Sequence, residues 1–293
     1  MAELGPREFG KFFQAVHGHQ PFQWQERLAG EVLQKGWHDV IIAPTACGKT
    51  VVVDLAVFEL ARQADLEPDQ RTAARRICFV VDRRLVVDEV TQHARRLAEA
   101  IRAAAAGERD DPELRVVAQQ LARLALNPCE VLRILRLRGG VYRDEGWAAD
   151  PLTPTILVST VDQIGSRLLF RGYGVGAGSR PIQAGLLAFD TRIILDEAHL
   201  STAFGSALKR VRSYLKWAKE SPVPEPRWVS AVSMSATIGE GGRTFTLRQR
   251  EREDVRLRAR LDARKLANLV EVKTESVTKE MRAKQPGKAA EVV

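Results

Sequence analysis

Cysteine is scarce in this chain, with three in 293 residues: Cys47, Cys78 and Cys129. An odd count without metal-ligand spacing excludes a disulfide scaffold and a thiolate zinc site. With no secretory segment at the amino end, it fits reduced thiols in a cytosol. Aromatic residues are also few, at 6%. No uninterrupted apolar run approaches the roughly 18 residues that a membrane helix needs, so a soluble, cytoplasmic chain is expected. What is plentiful is positive charge. The net charge is +8, with 45% hydrophobic and 28% charged residues, which suits a globular protein with an anionic partner such as nucleic acid. The charge is uneven: residues 243–264 hold eight arginines and four acids. A run of this kind is as readily a solvated face as a binding surface.

Five short runs are apolar throughout rather than alternating: "DVIIA" (39–43), "ICFVVD" (77–82), "TILVST" (155–160), "RIILD" (192–196) and "WVSAVSMSA" (228–236). Such runs suit strands buried on both faces of a parallel sheet. Between them the spacing predicts helices over 49–64, about 84–106, about 113–137, 161–169 and 202–219. The rhythm is that of an α/β, doubly wound, mostly parallel sheet flanked by helices. The glycine-rich "RGYGVGAGSRP" (171–181) reads as an exposed loop. "GEGG" (239–242) breaks the rhythm, placing one domain over 1–240 and an arginine-rich linker with an incomplete second unit over 241–293. The final "GKAAEVV" starts a helical pattern and stops, as a cut end would.

"APTACGKT" (43–50) is nearly the phosphate-binding loop G-x-x-x-x-G-K-[ST], with Ala43 in place of the first glycine. It follows a strand pattern and opens an apolar helix, the context that such a loop needs. There, backbone N–H groups of Thr45, Ala46, Cys47 and Gly48 and the helix N-terminus face phosphate oxygens. Lys49 would reach the β/γ-phosphates of ATP, and the Thr50 hydroxyl would ligate Mg²⁺. "IILDEAHL" (193–200) puts Asp196 and Glu197 at another strand end. Asp196 can hold Mg²⁺ together with Thr50, while Glu197 orients or deprotonates the attacking water. His199 then reads as a coupling residue toward Ser235-Ala236-Thr237, again at a strand end.

With "PFQWQERL" (21–28) upstream, the set resembles the first RecA-like lobe of a DEAH-type superfamily 2 helicase, a P-loop NTPase. That resemblance implies that Gln25 reads adenine, with Phe22 or Trp24 packing nearby, and that Ser235 and Thr237 link the ATP state to strand movement. Three further stretches, "FVVDRRLVVDEV" (79–90), "LRGGVYRDEGW" (137–147) and "STVDQIGSRLLFRGYG" (159–174), resemble the CRISPR-associated helicase–nuclease of type I systems, nearest to the I-G (I-U) branch. The likeness covers about residues 8 to 240. It implies single-stranded DNA and an RNA-guided surveillance complex as partners. Nucleic-acid contacts would fall at Arg83, Arg84, Gly139, Gly140, Ser159, Thr160, Asp162 and Gln163. Gly139–Gly140 also reads as a plain turn, and Ala46 stands where the family more often has glycine.

The family's second lobe brings a Q-x-x-G-R-x-G-R stretch, and its nuclease brings several His and Asp ligands; neither pattern is found in these residues. The five histidines are His17, His19, His38, His93 and His199. His38–Asp39 is expected to be part of a strand rather than a metal pair, and His17 and His19 are expected to be solvated. Two alternatives stay open: a fragment of a DEAD/DEAH-type RNA helicase, and a non-catalytic nucleotide-binding module that docks a partner.

Overall fold

Seven strands line up in one sheet in the order β3-β4-β2-β5-β6-β1-β7, and every ladder between them is parallel. They are β1 Val40–Ile42, β2 Arg76–Val81, β3 Arg133–Leu137, β4 Thr155–Thr160, β5 Thr191–Leu195, β6 Ser230–Ser235 and β7 Thr244–Thr246. The computed structural model describes residues 4–137, 146–217, 223–236 and 242–263. The helices are α1 Pro6–His17, α2 Gln23–Lys35, α3 Val51–Arg62, α4 Arg84–Ala105, α5 Pro112–Ala122, α6 Gly146–Ala149, α7 Val161–Leu168, α8 Ser179–Ala188, α9 Thr202–Trp217, α10 Gln249–Arg252 and α11 Val255–Leu261.

The apolar runs follow from burial on both sides. In β2, Ile77, Phe79 and Val81 join the core under α1 to α5, while Cys78 and Val80 join the core under α6, α7 and α9. Alternate side chains of a strand point to opposite faces, so a strand covered by helices on both sides must be apolar at every position. The helix α3 is buried along nearly its whole length, from Val51 to Ala61, which marks it as a central helix rather than an amphipathic surface one. At its two ends α1 has Pro6 at the first turn and Gly18 in the left-handed conformation at φ 75°.

Three sequence expectations need correction. The helix expected over 113–137 ends at Ala122, and Arg133–Leu137 is the edge strand β3. Its Leu135 and Leu137 are buried on one face, a period of two that the local arginines and leucines hid among helix-compatible spacings. The loop over 171–181 gives way at Ser179 to α8, whose Gln183, Ala184 and Leu187 are buried. The fold also runs past residue 240: β7 pairs with β1, and the compact unit ends at Leu261. Arg27 explains that extension, since it donates to Glu251 at 2.6 and 2.9 Å and to the Thr246 carbonyl at 2.7 Å, and its guanidinium lies 4.0 Å over the Phe245 ring. No helix among the described residues is long and apolar enough to cross a membrane.

Candidate nucleotide-binding site

The carboxyl ends of β5, β6 and β1 are neighbours, and each hands the chain to one of the motif segments. In an open parallel sheet, this edge is where ligands bind. The Ala43 amide donates to the Ser235 carbonyl at 3.0 Å, and the Asp196 amide donates to the Val80 carbonyl at 2.9 Å. Since β6 pairs with both β5 and β1, the three segments are fixed to one another by the sheet before any side chain acts.

The loop between β1 and α3 turns through two left-handed residues, Ala46 at φ 66° and Gly48 at φ 84°. A Cβ on Gly48 would come within 2.9 Å of the Gln25 amide nitrogen, so only glycine fits without movement. Ala46 holds its position as a residue with a Cβ, at a local steric cost that glycine would avoid. Thr45 and Ala46 are exposed, Cys47 is buried, and Thr50 stands at the amino end of α3. Burial pushes the Cys47 thiol up to about 12, so this cysteine packs and does not react.

Lys49 crosses to the end of β5. Its Nζ donates to Glu197 Oε1 at 2.7 Å and lies 3.4 Å from Asp196 Oδ1. Burial opposes its charge, but the Glu197 bond and the two carboxylates outweigh that and lift its pKa. Burial raises the Asp196 carboxyl, and Glu197 adds to the rise while Lys49 pulls against it. Asp196 also accepts from the Glu197 amide at 3.0 Å, and Glu197 is left-handed at φ 46°. Strain of this kind persists where surroundings over-determine it and concentrates at functional sites. His199 Nδ1 is 3.5 Å from Glu197 Oε2 and 3.3 Å from Ser235 Oγ, so it bridges the ends of β5 and β6. Thr237 lies outside the described residues.

Gln25 is tied in locally. Its Oε1 accepts from the Phe22 amide at 2.8 Å, and its Nε2 donates to the Gly48 carbonyl at 3.0 Å, coupling α2 to the phosphate loop. Phe22 lies beside it, whereas Trp24 is fully buried and packs toward Phe245 at 6.3 Å between centroids. Sequence reading did not foresee that the arginine tract reaches this place: Arg256 and Arg260 sit 5.3 and 5.2 Å over the Phe22 ring. Phe13, His17, His19, His93 and Arg96 join Phe22 and Arg260 around a cavity of about 220 Å³ beside Gly48 and Thr50.

The other half of the carboxyl edge, at β3, β4 and β2, holds the described residues among those singled out for nucleic acid. Arg83 is exposed ahead of α4, and Asp162 is exposed on the first turn of α7. Ser159 is fully buried and donates to the Leu137 carbonyl at 2.8 Å, so its hydroxyl ties β4 to β3 instead of facing outward. Thr160 is nearly buried ahead of α7, and Gln163 accepts from Arg167 at 2.8 Å. Gly139, Gly140 and the Arg84 side chain lie outside the described residues. His38 Nε2 donates to Glu31 at 3.0 Å, and Asp39 accepts from the Arg243 amide at 2.7 Å, so both belong to the packing of β1 and β7.

His17 was expected in solvent, yet its Nε2 lies 2.8 Å from Asp54 Oδ1, and His93 Nε2 lies 2.7 Å from Oδ2. The signal that could have found this group is Asp54 itself, an acid inside "VVVDLAVF". A carboxylate within an otherwise apolar helix needs partners from elsewhere in the chain.

No protein-family model matches the sequence, and no curated protein sequence does. Solved structures do resemble the fold. One is the DUF1998 helicase MrfA bound to DNA and AMPPNP, at 14% identity and TM-score 0.52, over 85% of this chain and 30% of that one. Others are the yeast DEAD-box splicing factor Prp28 (13% identity, TM-score 0.48, 78% and 44%) and the DEAD-box helicase Mss116 bound to ssRNA and UDP-BeF (15%, 0.48, 82% and 42%). The chain thus spans about a third of the length of the MrfA structure. Sheet order, phosphate loop and the likeness to the MrfA structure define an α/β P-loop NTPase fold.

Proposed function

We propose that this chain is the ATP-hydrolysing lobe of a helicase-type motor acting on single-stranded DNA, in CRISPR type I interference alongside an RNA-guided surveillance complex. The observation that carries the ATPase reading is Lys49 Nζ set 2.7 Å from Glu197 and 3.4 Å from Asp196. Two motifs 148 residues apart in sequence meet there as phosphate chemistry requires. The DNA and CRISPR part of the reading rests on the sequence likeness over 79–90, 137–147 and 159–174.

The donor set fits ATP and Mg²⁺. The left-handed Gly48 leaves the loop backbone open where a Cβ would intrude, and Thr50 and Asp196 offer the oxygen ligands that Mg²⁺ prefers. When bound, the metal neutralises charge on the phosphate oxygens. Lys49 leaves its carboxylates to take a phosphate oxygen. Glu197, freed from that bond, orients a water and accepts its proton at Oε1. His199 carries the position of Glu197 to Ser235 on β6. Arg83 and Asp162, on the other half of the edge, mark where a strand would lie, and backbone contacts there would be screened by salt.

A phosphate-release assay with and without nucleic acid tests this reading. This chain alone is expected to turn ATP over slowly at best, with Glu197→Gln abolishing what remains, since the arginine stretch that the family's second lobe brings is not found in these residues. Robust turnover stimulated by single-stranded DNA would show that the second lobe is not needed. Stimulation by RNA and not DNA would assign the lobe to an RNA helicase. A chain that binds nucleotide but never turns it over, with either polymer, would be a docking module.

A further inference from the structure

We propose that His17, Asp54 and His93 form a site for a first-row transition-metal dication of the zinc class, sharing no residue with the Mg²⁺ position at Thr50 and Asp196. The three side chains come from three helices, α1, α3 and α4. Asp54 has no exposure, and each of its carboxylate oxygens meets one imidazole Nε2, at 2.8 and 2.7 Å. One donor atom from each residue lies within 4.8 Å of the others. The two rings stack at 4.7 Å with 24° between their planes, which aims both nitrogens at the same carboxylate.

The donor set decides the ion. Two imidazoles and one carboxylate suit Zn²⁺, Ni²⁺ or Co²⁺, whereas Mg²⁺ favours all-oxygen surroundings. Movement on the order of 1 Å would bring the donors to the metal bonds of about 2.0–2.2 Å typical of zinc. Three protein ligands leave one position, and the cavity lined by His17 and His93 gives water a way to reach it. Metal there would pin the N-terminal helix and α4 to α3, the helix that opens at Thr50.

A bare hydrogen-bonded triad is the competing explanation, and His93→Gln separates the two. Glutamine can still donate to Asp54, so the triad and the fold survive, but it is a poor ligand for a transition metal. The experiment titrates the full chain with Zn²⁺ by calorimetry and with Co²⁺ by visible absorption, in millimolar Mg²⁺. One ion per chain is expected, with tetrahedral Co²⁺ bands and at least a tenfold loss of affinity in His93→Gln and His17→Gln. Cys129→Ser, which removes the exposed thiol, should bind as wild type does. Circular dichroism confirms that each variant is folded. No saturable binding by wild type would overturn the site, as would unchanged affinity in the two folded glutamine variants.

Discussion

Lys49 is shared between two carboxylates at the end of β5, so a phosphate that takes it must compete with Glu197 and Asp196. Replacing Glu197 with glutamine keeps an acceptor but removes a charge. A charge-assisted bond exceeds a neutral one by about 1 kcal/mol, so Glu197→Gln should bind a fluorescent ATP analogue roughly fivefold tighter while losing turnover. Equal or weaker affinity would show that Lys49 does not have to be released. Asp196 gives a second residue-scale prediction. Its carboxyl is raised by burial, so its favourable contribution exists below the ordinary carboxylate range and is lost as pH rises through its folded pKa. At neutral pH its charge works against the fold. Asp196→Asn, which keeps the acceptor for the Glu197 amide, should therefore stabilise the lobe on the order of 0.5–1 kcal/mol in urea unfolding while abolishing phosphate release. A destabilised variant would mean that the Asp196–Lys49 attraction outweighs burial. At this scale the sequence made the loop and the acidic pair legible, because their spacing is chemical. It could not reveal that Ser159 bonds inward or that Arg260 covers Phe22, since those depend on which segments meet in space.

Elements were legible where burial was two-sided. The expected β2, β4 and β5 match the observed strands within a residue at each end, because consecutive apolar residues such as "ICFVV" and "ILV" fit burial on both faces of a strand. The edges were harder. At one margin β3 has a half-polar pattern, and at the other β7 is three residues long with only Phe245 buried. Neither has the composition of a central strand, and β7 is held largely by a side chain from α2. Arg27→Ala removes the paired bonds to Glu251, the bond to the Thr246 carbonyl and the cover over Phe245. Breaking charged hydrogen bonds at a mostly buried residue should cost about 2–3 kcal/mol. The loss should be local at first, with faster amide exchange over 244–261 and little change in β2 or β4. Uniformly faster exchange through the sheet would show that β7 and α10 are integral to the core.

At the scale of the molecule, the two edges of the sheet are built on opposite principles. The carboxyl edge carries Asp196, a carboxyl whose charge burial destabilises. The amino edge is clamped around Asp190. Its Oδ2 accepts from Arg71 at 2.8 Å and from Arg227 at 2.6 Å, its Oδ1 accepts from the Arg75 amide at 3.0 Å, and Arg75 Nε lies 3.6 Å away. One acid thus holds the approaches to β2, β5 and β6, the strands on either side of which the motifs emerge. Burial alone would raise the Asp190 carboxyl, but Arg71, the Arg75 amide and Arg76 outweigh it and hold it below the usual range. The sign follows from that lowered value. The stabilisation from Asp190 is complete above the ordinary carboxylate pKa of about 4 and is lost as pH falls through its folded value. Unfolding by urea, followed from pH 7 down to pH 3, should therefore show stability falling steeply with acid in wild type. Asp190→Asn should start lower by about 3–5 kcal/mol, because three arginines lose their counter-charge at a buried point. Its stability should then vary less with pH over the acid range. A variant whose curve runs parallel to wild type all the way down would place the acid sensitivity elsewhere. Clamping the amino edge in this way lets the opposite edge keep Glu197 strained and Asp196 charged without losing the register that brings them to Lys49.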